Sequence, residues 1–186
     1  MTDAHTPPGS PYKLRPARPA DVPAIVGLIR ELAEYEKLAH LAQATPESLH
    51  PHLFGDKPVV ECLVAEPESE PGRECEGEAA GPSTLVAFAL FFTNFSTFLA
   101  KPGLYLEDLY VQPAHRGGGL GKALLQALAR IAVSRGYGRF DWCVLDWNVD
   151  AQAFYRRMGA SMKDDWRLCR VDGDELLALG APLDNR

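Results

Sequence analysis

The chain has 186 residues, is 46% hydrophobic and 24% charged, and carries a formal net charge of −6 at pH 7. That is the composition of a globular protein the size of one ordinary domain, able to bury a full core without disulfide staples. The acidic balance argues against a general nucleic-acid binder, which needs basic surface to displace counterions. No apolar run reaches the roughly 18 residues of a membrane span.

Residues 1–11, "MTDAHTPPGSP", read as a Pro- and Ser-rich tail, and 12–186 as a single domain. "YKLRPAR" predicts a strand. In "ADVPAIVGLIRELAEYEKL" the apolar residues Val22, Ile25, Leu28, Ile29 and Leu32 recur with helical period, with Asp21 as N-cap and Pro23 in the first turn. Residues 59–66 and 83–95, rich in Val, Leu and Phe, predict strands joined by a long Glu-, Gly- and Pro-rich hairpin loop. "LYLEDLYV" at 104–111 is the next strand, followed by a helix with Leu120, Leu124, Leu128 and Ile131 on one face. Arg130 and Arg135 suit its C-terminal end and Gly136 its cap. "GRFDWCVLDWN" predicts a strand, "DAQAFYRRM" a short helix stopped by Gly159, "WRLCRVD" a last strand and "GDELLALG" a final turn or two of helix. The order predicts an α/β (α+β) fold, a mixed sheet with a parallel step around the glycine-led helix.

Cys62, Cys75, Cys143 and Cys169 lie far apart with no C-x-x-C pair, and three of them fall in apolar runs. Reduced, buried thiols in a cytoplasmic protein are expected. Neither the "HPH" at 50–52 nor any other histidine has metal-ligand spacing, so no metal is expected.

The stretch "HRGGGLGKALL" sets Gly117, Gly118, Gly119 and Gly121 immediately before the helix, with Arg116 ahead and Lys122 inside. Glycines at a strand-to-helix turn let backbone N–H groups converge and a ligand approach closely. The first helical turn adds unpaired donors and a positive dipole end, which together make an anion site. A Walker A loop is excluded, because Gly121-Lys122 is followed by Ala123 and the first glycine position is Arg116. A Rossmann fingerprint fails because the third glycine would fall on Lys122. What remains is R-x-x-G-x-G, formed by Arg116, Gly119 and Gly121.

That motif, set after "LYV", resembles the acetyl-CoA-binding motif of the GNAT N-acetyltransferases. With "YLEDLYVQPAHRGGGLGKALL", "VLDWNVDAQAFYRRMGA" and "WRLCRVD", and upstream "LIRELAEYEKL", "FGDKP" and "CLVAE", the chain is similar to the spermidine/spermine N1-acetyltransferase (diamine acetyltransferase) group over roughly residues 12–179. The resemblance implies a mostly antiparallel sheet in which two parallel strands, 104–111 and 139–146, splay apart. The backbone of Leu109, Tyr110 and Val111 would pair with the pantetheine arm. The N–H groups of Gly117, Gly118, Gly119, Leu120, Gly121 and Lys122 would receive the pyrophosphate, with Arg116 alongside. Asn148 and Arg157 are further cofactor-side positions, Arg156 being left open between cofactor and water.

By the same resemblance Glu107 is the general base, acting through a water, a strand N–H at Tyr110 meets the developing oxyanion, and Tyr155 is the general acid for the departing thiolate. The implied acceptor is a small cationic amine, with Tyr35, Glu36, Asp108, Asp141, Trp142, Cys143 and Trp166 on the substrate side. Polyamine-acetylating members carry acids just after the "YE" pair, where this chain has Lys37 and His40 in "YEKLAHLA". "VLDWN" and "FSTF" look more like the thialysine N-epsilon-acetyltransferase branch. The group's homodimeric habit is expected here too. A non-catalytic acyl-CoA-binding sensor or scaffold and a protein lysine acetyltransferase are the alternative readings.

Overall fold

The computed structural model describes residues 10–68 and 84–182. The glutamate-rich stretch and most of the N-terminal tail lie outside the described residues. The chain divides into two compact units, one ending at Cys143 and one beginning at Val144.

The first unit is built on a five-stranded sheet in the order β1-β2-β3-β4-β5. These are β1 (Tyr12–Pro16), β2 (Glu61–Pro67), β3 (Ala87–Ser96), β4 (Lys101–Val111) and β5 (Phe140–Trp142). The first three pairings are antiparallel and β4–β5 is parallel. The parallel step is made by α3 (Leu120–Ser134), as the glycine-led helix predicts. Helices α1 (Val22–Tyr35) and α2 (Pro46–Phe54) both fall between β1 and β2. Thr45 caps α2, its hydroxyl accepting from the Ser48 N–H at 3.2 Å, ahead of a proline in the first turn.

Both faces of the sheet are buried. Val22, Ile25, Val26 and Leu28 of α1 pack with Cys62, Val64, Phe88, Leu90 and Tyr110. By alternation Leu63, Ala65, Ala89, Phe91, Leu104 and Leu106 point to the opposite face, and all are buried. Helix α3 packs along β4 and buries Leu120, Leu124, Leu128 and Ile131, the stripe its period predicts.

Asp21 stands at the N-cap of α1, but its carboxylate does not cap that helix. It accepts from the Arg18 N–H at 2.7 Å and holds Arg15 through two bonds of 2.6 and 3.0 Å. Two further expectations are corrected. The strand read from "GRFDWCVLDWN" forms only at Phe140–Trp142, and "WRLCRVD" forms no strand among the described residues. Alternation gives that last stretch the capacity for pairing, but a strand needs a neighbour. Trp166, Leu168 and Val171 are instead exposed. Of the thiols expected to be buried only Cys62 is; Cys143 and Cys169 are exposed, and Cys75 lies outside the described residues.

The second unit contains α4 (Val149–Arg157) and α5 (Gly173–Leu179). Asn148 is the N-cap of α4, its side-chain oxygen accepting from the Ala151 N–H at 3.2 Å.

Candidate active site

Strand β4 gains its chemistry from one extra residue. Leu90 of β3 pairs with Asp108, but the next residue, Phe91, pairs with Leu106, so Glu107 has no partner on β3. This is a β-bulge, which bends a strand and re-aims its side chains. Cross-strand partners share a face, and Phe88 pairs with Tyr110 as Leu90 pairs with Asp108. Asp108 therefore faces the α1 side, while Glu107 is exposed.

Asp108 is the most perturbed carboxylate there. Burial, then the charge of Glu107, then that of Glu36 push it up to about 6. Glu36, the C-cap of α1, is also raised, by burial. Three acids thus converge where α1 ends over β4. They attract a cation, and one of them exchanges a proton near neutral pH.

On its other edge β4 pairs with β5 only from Leu104 to Leu106. From Glu107 to Val111 that edge has no strand partner among the described residues. The strands part at the residue that bulges; alternation turns the backbone groups of Leu109 and Val111 to the edge left without a strand there, while those of Tyr110 face Phe88 of β3. An extended ligand can add there as a strand would.

The β4–α3 connection follows. Gly117 and Gly119 have φ of +82° and +86°, a region closed to most side chains, and Gly119 is the N-cap of α3. A Cβ at Gly117, Gly118 or Gly119 would meet nothing within 4 Å. The glycines are there for backbone shape and open approach rather than tight packing. The first intrahelical bond is made by the Ala123 N–H to the Gly119 carbonyl, at 2.9 Å. The N–H groups of Leu120, Gly121 and Lys122 precede it and are helix-start donors. This unpaired edge leading into a donor-rich turn fits an acyl-CoA, arm first and pyrophosphate second. Arg116, just ahead of the glycines, donates from Nε to the Val111 carbonyl at 2.8 Å. Its guanidinium lies 4.7 Å over the Tyr35 ring and 5.5 Å from that of Tyr110. The Tyr110 hydroxyl and Gln112 both donate to Glu31 of α1, at 3.1 Å and 3.0 Å. Tyr35 and Tyr110 are thereby tied to the loop that precedes the glycines.

Further along the same face lies a second polar group. Tyr105 pairs with Phe92 and with Asp141, and its hydroxyl donates to the Cys143 thiol at 3.2 Å. Burial raises that hydroxyl's pKa, with Cys143, Glu107 and Asp141 adding to the rise. Asp141 pairs with Arg139 at 2.7 Å and accepts from the Asn94 amide at 3.3 Å. Trp142, the next residue, sets its ring 4.8 Å from that of Phe140, tilted by 56°. Neither Asn94 nor Arg139 belongs to a motif that the sequence displays. Their meeting depends on Gly103, which lies between them on β4.

In the second unit Tyr155 lies on α4, its ring 5.4 Å from that of Phe154, and Arg156 donates to Gln152 at 3.3 Å. Arg157 is exposed at the end of the same helix, and Trp166 is 74% exposed.

Comparison with known proteins decides the family. Residues 32–160 match the model of the acetyltransferase (GNAT) family. The chain belongs to the GNAT family. It is 37% identical to an L-ornithine N5-acetyltransferase of Arabidopsis thaliana, over 90% of this chain and 87% of that one. It is 36% identical to a thialysine N-epsilon-acetyltransferase of Mus musculus, over 90% and 96%. Among solved structures, an integron cassette protein from the mobile metagenome of V. cholerae superposes with a TM-score of 0.72. That match has 24% identity and covers 94% of this chain and 100% of that one. This GNAT protein is an acetyl-CoA-dependent N-acetyltransferase with the mixed sheet its family implies. Among the described residues no group of three His, Cys, Asp or Glu side chains is placed to hold a metal, and no helix is long and apolar enough to cross a membrane.

Proposed function

We propose that this GNAT enzyme acetylates a primary amine of a small cationic substrate, in the manner its ornithine- and thialysine-acetylating relatives are named for. The observation that carries this reading is the convergence of Glu36, Glu107 and Asp108 at the bulge where β4 loses its β5 partner. A cationic amine is drawn to that point, beside the edge on which the cofactor arm would lie. A di- or polyamine would be drawn there by the same charges.

Acetyl-CoA supplies the thioester carbonyl that the amine attacks. An amine like that of lysine, with a pKa of about 10.4, arrives protonated and has no lone pair to offer. Glu107 takes the proton through a water, and Asp108 beside it, at about 6, is a second acceptor within the same charge cluster. The Leu109 N–H, which alternation turns to the unpaired edge while that of Tyr110 faces Phe88, donates to the carbonyl oxygen as negative charge grows there. The N–H groups from Gly117 to Lys122 hold the pyrophosphate, and Arg157 is assigned to the cofactor by its place in the family's pattern. Tyr155, carried over from the family's "FY" motif, returns a proton to the thiolate. Tyr35, Glu36, Asp108, Asp141, Trp142, Cys143 and Trp166 serve the amine side. The reading includes a cytoplasmic homodimer.

CoA-thiol release at pH 8 tests this, with ornithine, thialysine, lysine, putrescine, spermidine and a histone-tail peptide as acceptors. Turnover on small amines and not on the peptide is expected. Tight acetyl-CoA binding with no turnover on any acceptor would replace the enzyme reading by a sensor.

A further inference from the structure

We infer that Arg139, Asp141 and Asn94 form a subsite for the α-ammonium and α-carboxylate of an amino acid, so that the enzyme selects diamino acids over diamines of the same length. This rests on the small-amine reading and names the class of amine.

The subsite is built across three strands. Asn94 of β3 pairs with Gly103 of β4, and Asp141 of β5 pairs with Tyr105 two residues on. A Cβ at Gly103 would collide with Asn94 Oδ1 and sit 2.9 Å from Arg139 Cγ. The missing side chain is what lets Asn94 and the Arg139–Asp141 pair meet over the β4 backbone. The Asn94 amide donates to Asp141, which fixes its orientation and leaves Oδ1 buried with no partner. An orphaned acceptor beside a carboxylate is an arrangement for an ammonium group, which brings three donors.

Arg139 supplies the opposite sign. Its Nε holds Asp141 at 2.7 Å and its Nη2 donates to the Phe95 carbonyl at 3.3 Å. Among the described residues Nη1 has no partner, and the side chain is 38% exposed. A guanidinium held in place by a carboxylate and presenting a free edge recognises a second carboxylate. The two charges together match a zwitterion. A diamine or polyamine places a second cation there and meets Arg139 with no carboxylate to offer.

The spacing agrees. Phe92–Tyr105 and Leu90–Asp108 are pairs two residues apart on β3. The Asp141 group therefore sits roughly 7 Å along the strands and about 4.8 Å, one strand, across from Asp108, roughly 8–9 Å in all and on the same face, a span an ornithine- or lysine-length diamino acid can bridge.

Initial rates with L-ornithine, L-ornithinamide and putrescine, for wild type and Arg139→Gln, test the inference, with acetyl-CoA affinity as the check on folding. Wild type should favour ornithine over the other two by about tenfold or more in kcat/KM. In Arg139→Gln that preference should collapse through KM for ornithine. Equal use of ornithine and putrescine by wild type, or an equal loss on all three acceptors in the variant, overturns it. Absence of turnover on all three would count against the small-amine reading. Calorimetry of ornithine and putrescine on the CoA complex then still decides the subsite: selective ornithine binding lost in Arg139→Gln supports it, and equal binding or none overturns it.

Discussion

Glu107 and Asp108 are neighbours in sequence whose carboxylates have unlike surroundings: the bulge leaves Glu107 exposed and unpaired with β3, while Asp108 is paired with Leu90 and pushed up to about 6. For Asp108 the folded-state pKa lies above the unfolded value of about 3.9, so its contribution favours the fold below that value and is lost as pH rises through about 6. Asp108→Asn should therefore be more stable than wild type by about 1–2 kcal/mol at pH 8 and nearly equal to it at pH 4. Urea unfolding at both pH values checks this. A stability difference that does not change with pH would show that Asp108 is not held protonated by the fold.

Tyr155→Phe removes only a hydroxyl from α4. If that hydroxyl returns the proton to the thiolate, kcat should fall by about 100-fold or more, with acetyl-CoA affinity retained. Steady-state kinetics beside a binding titration separates the two quantities. A kcat within a few-fold of wild type removes Tyr155 from the reaction.

Helix α1 ends with Lys37 at φ +63°, where a left-handed residue is needed. The Leu38 N–H reaches the Ala33 carbonyl at 2.8 Å and the Lys37 N–H that of Glu34 at 3.0 Å, the bonds of a Schellman ending. Glycine is the residue this position favours. Lys37→Gly should stabilise the protein by about 0.5–1 kcal/mol, read as a raised urea midpoint at unchanged slope.

Arg15 and Asp21 form a buried pair, their side chains 10% and 3% exposed, with Glu66 at 2.9 Å from the same guanidinium. Asp21→Ala leaves that cation to Glu66 alone and strands the Arg18 N–H, and should cost about 2–4 kcal/mol. Joint replacement of Arg15 and Asp21 by Met and Leu should recover much of the loss. A double variant no more stable than the single one would place the cost in packing instead.

Much of this architecture is legible in the sequence. The 3.6-residue stripe of α3 and the glycines ahead of it fix a helix with a donor-rich start. The alternation of β4 marks its two buried faces. The bulge at Glu107 is not legible, because it depends on how β3 aligns, and alternation alone puts Glu107 and Asp108 on equal footing. In the sequence, Asp108 accordingly reads only as a substrate contact. The brevity of β5 was hidden for a similar reason: "FDWCVLDWN" has strand-forming residues throughout, but pairing stops where β4 bends away. The Tyr35 and Tyr110 rings beside Arg116 are not legible from its motif, because they come from distant parts of the chain.

If Arg116 serves the cofactor phosphates and Tyr35 the amine, their contact would make the two halves of the reaction thermodynamically interdependent. A phosphate that draws the guanidinium toward the glycine turn must take it off the Tyr35 ring, altering the wall an incoming amine meets. Linkage makes such an effect reciprocal, so the amine would change nucleotide affinity by the same factor. One cation–π contact would then impose cooperativity between donor and acceptor, detectable as a shift in the dissociation constant of one when the other saturates.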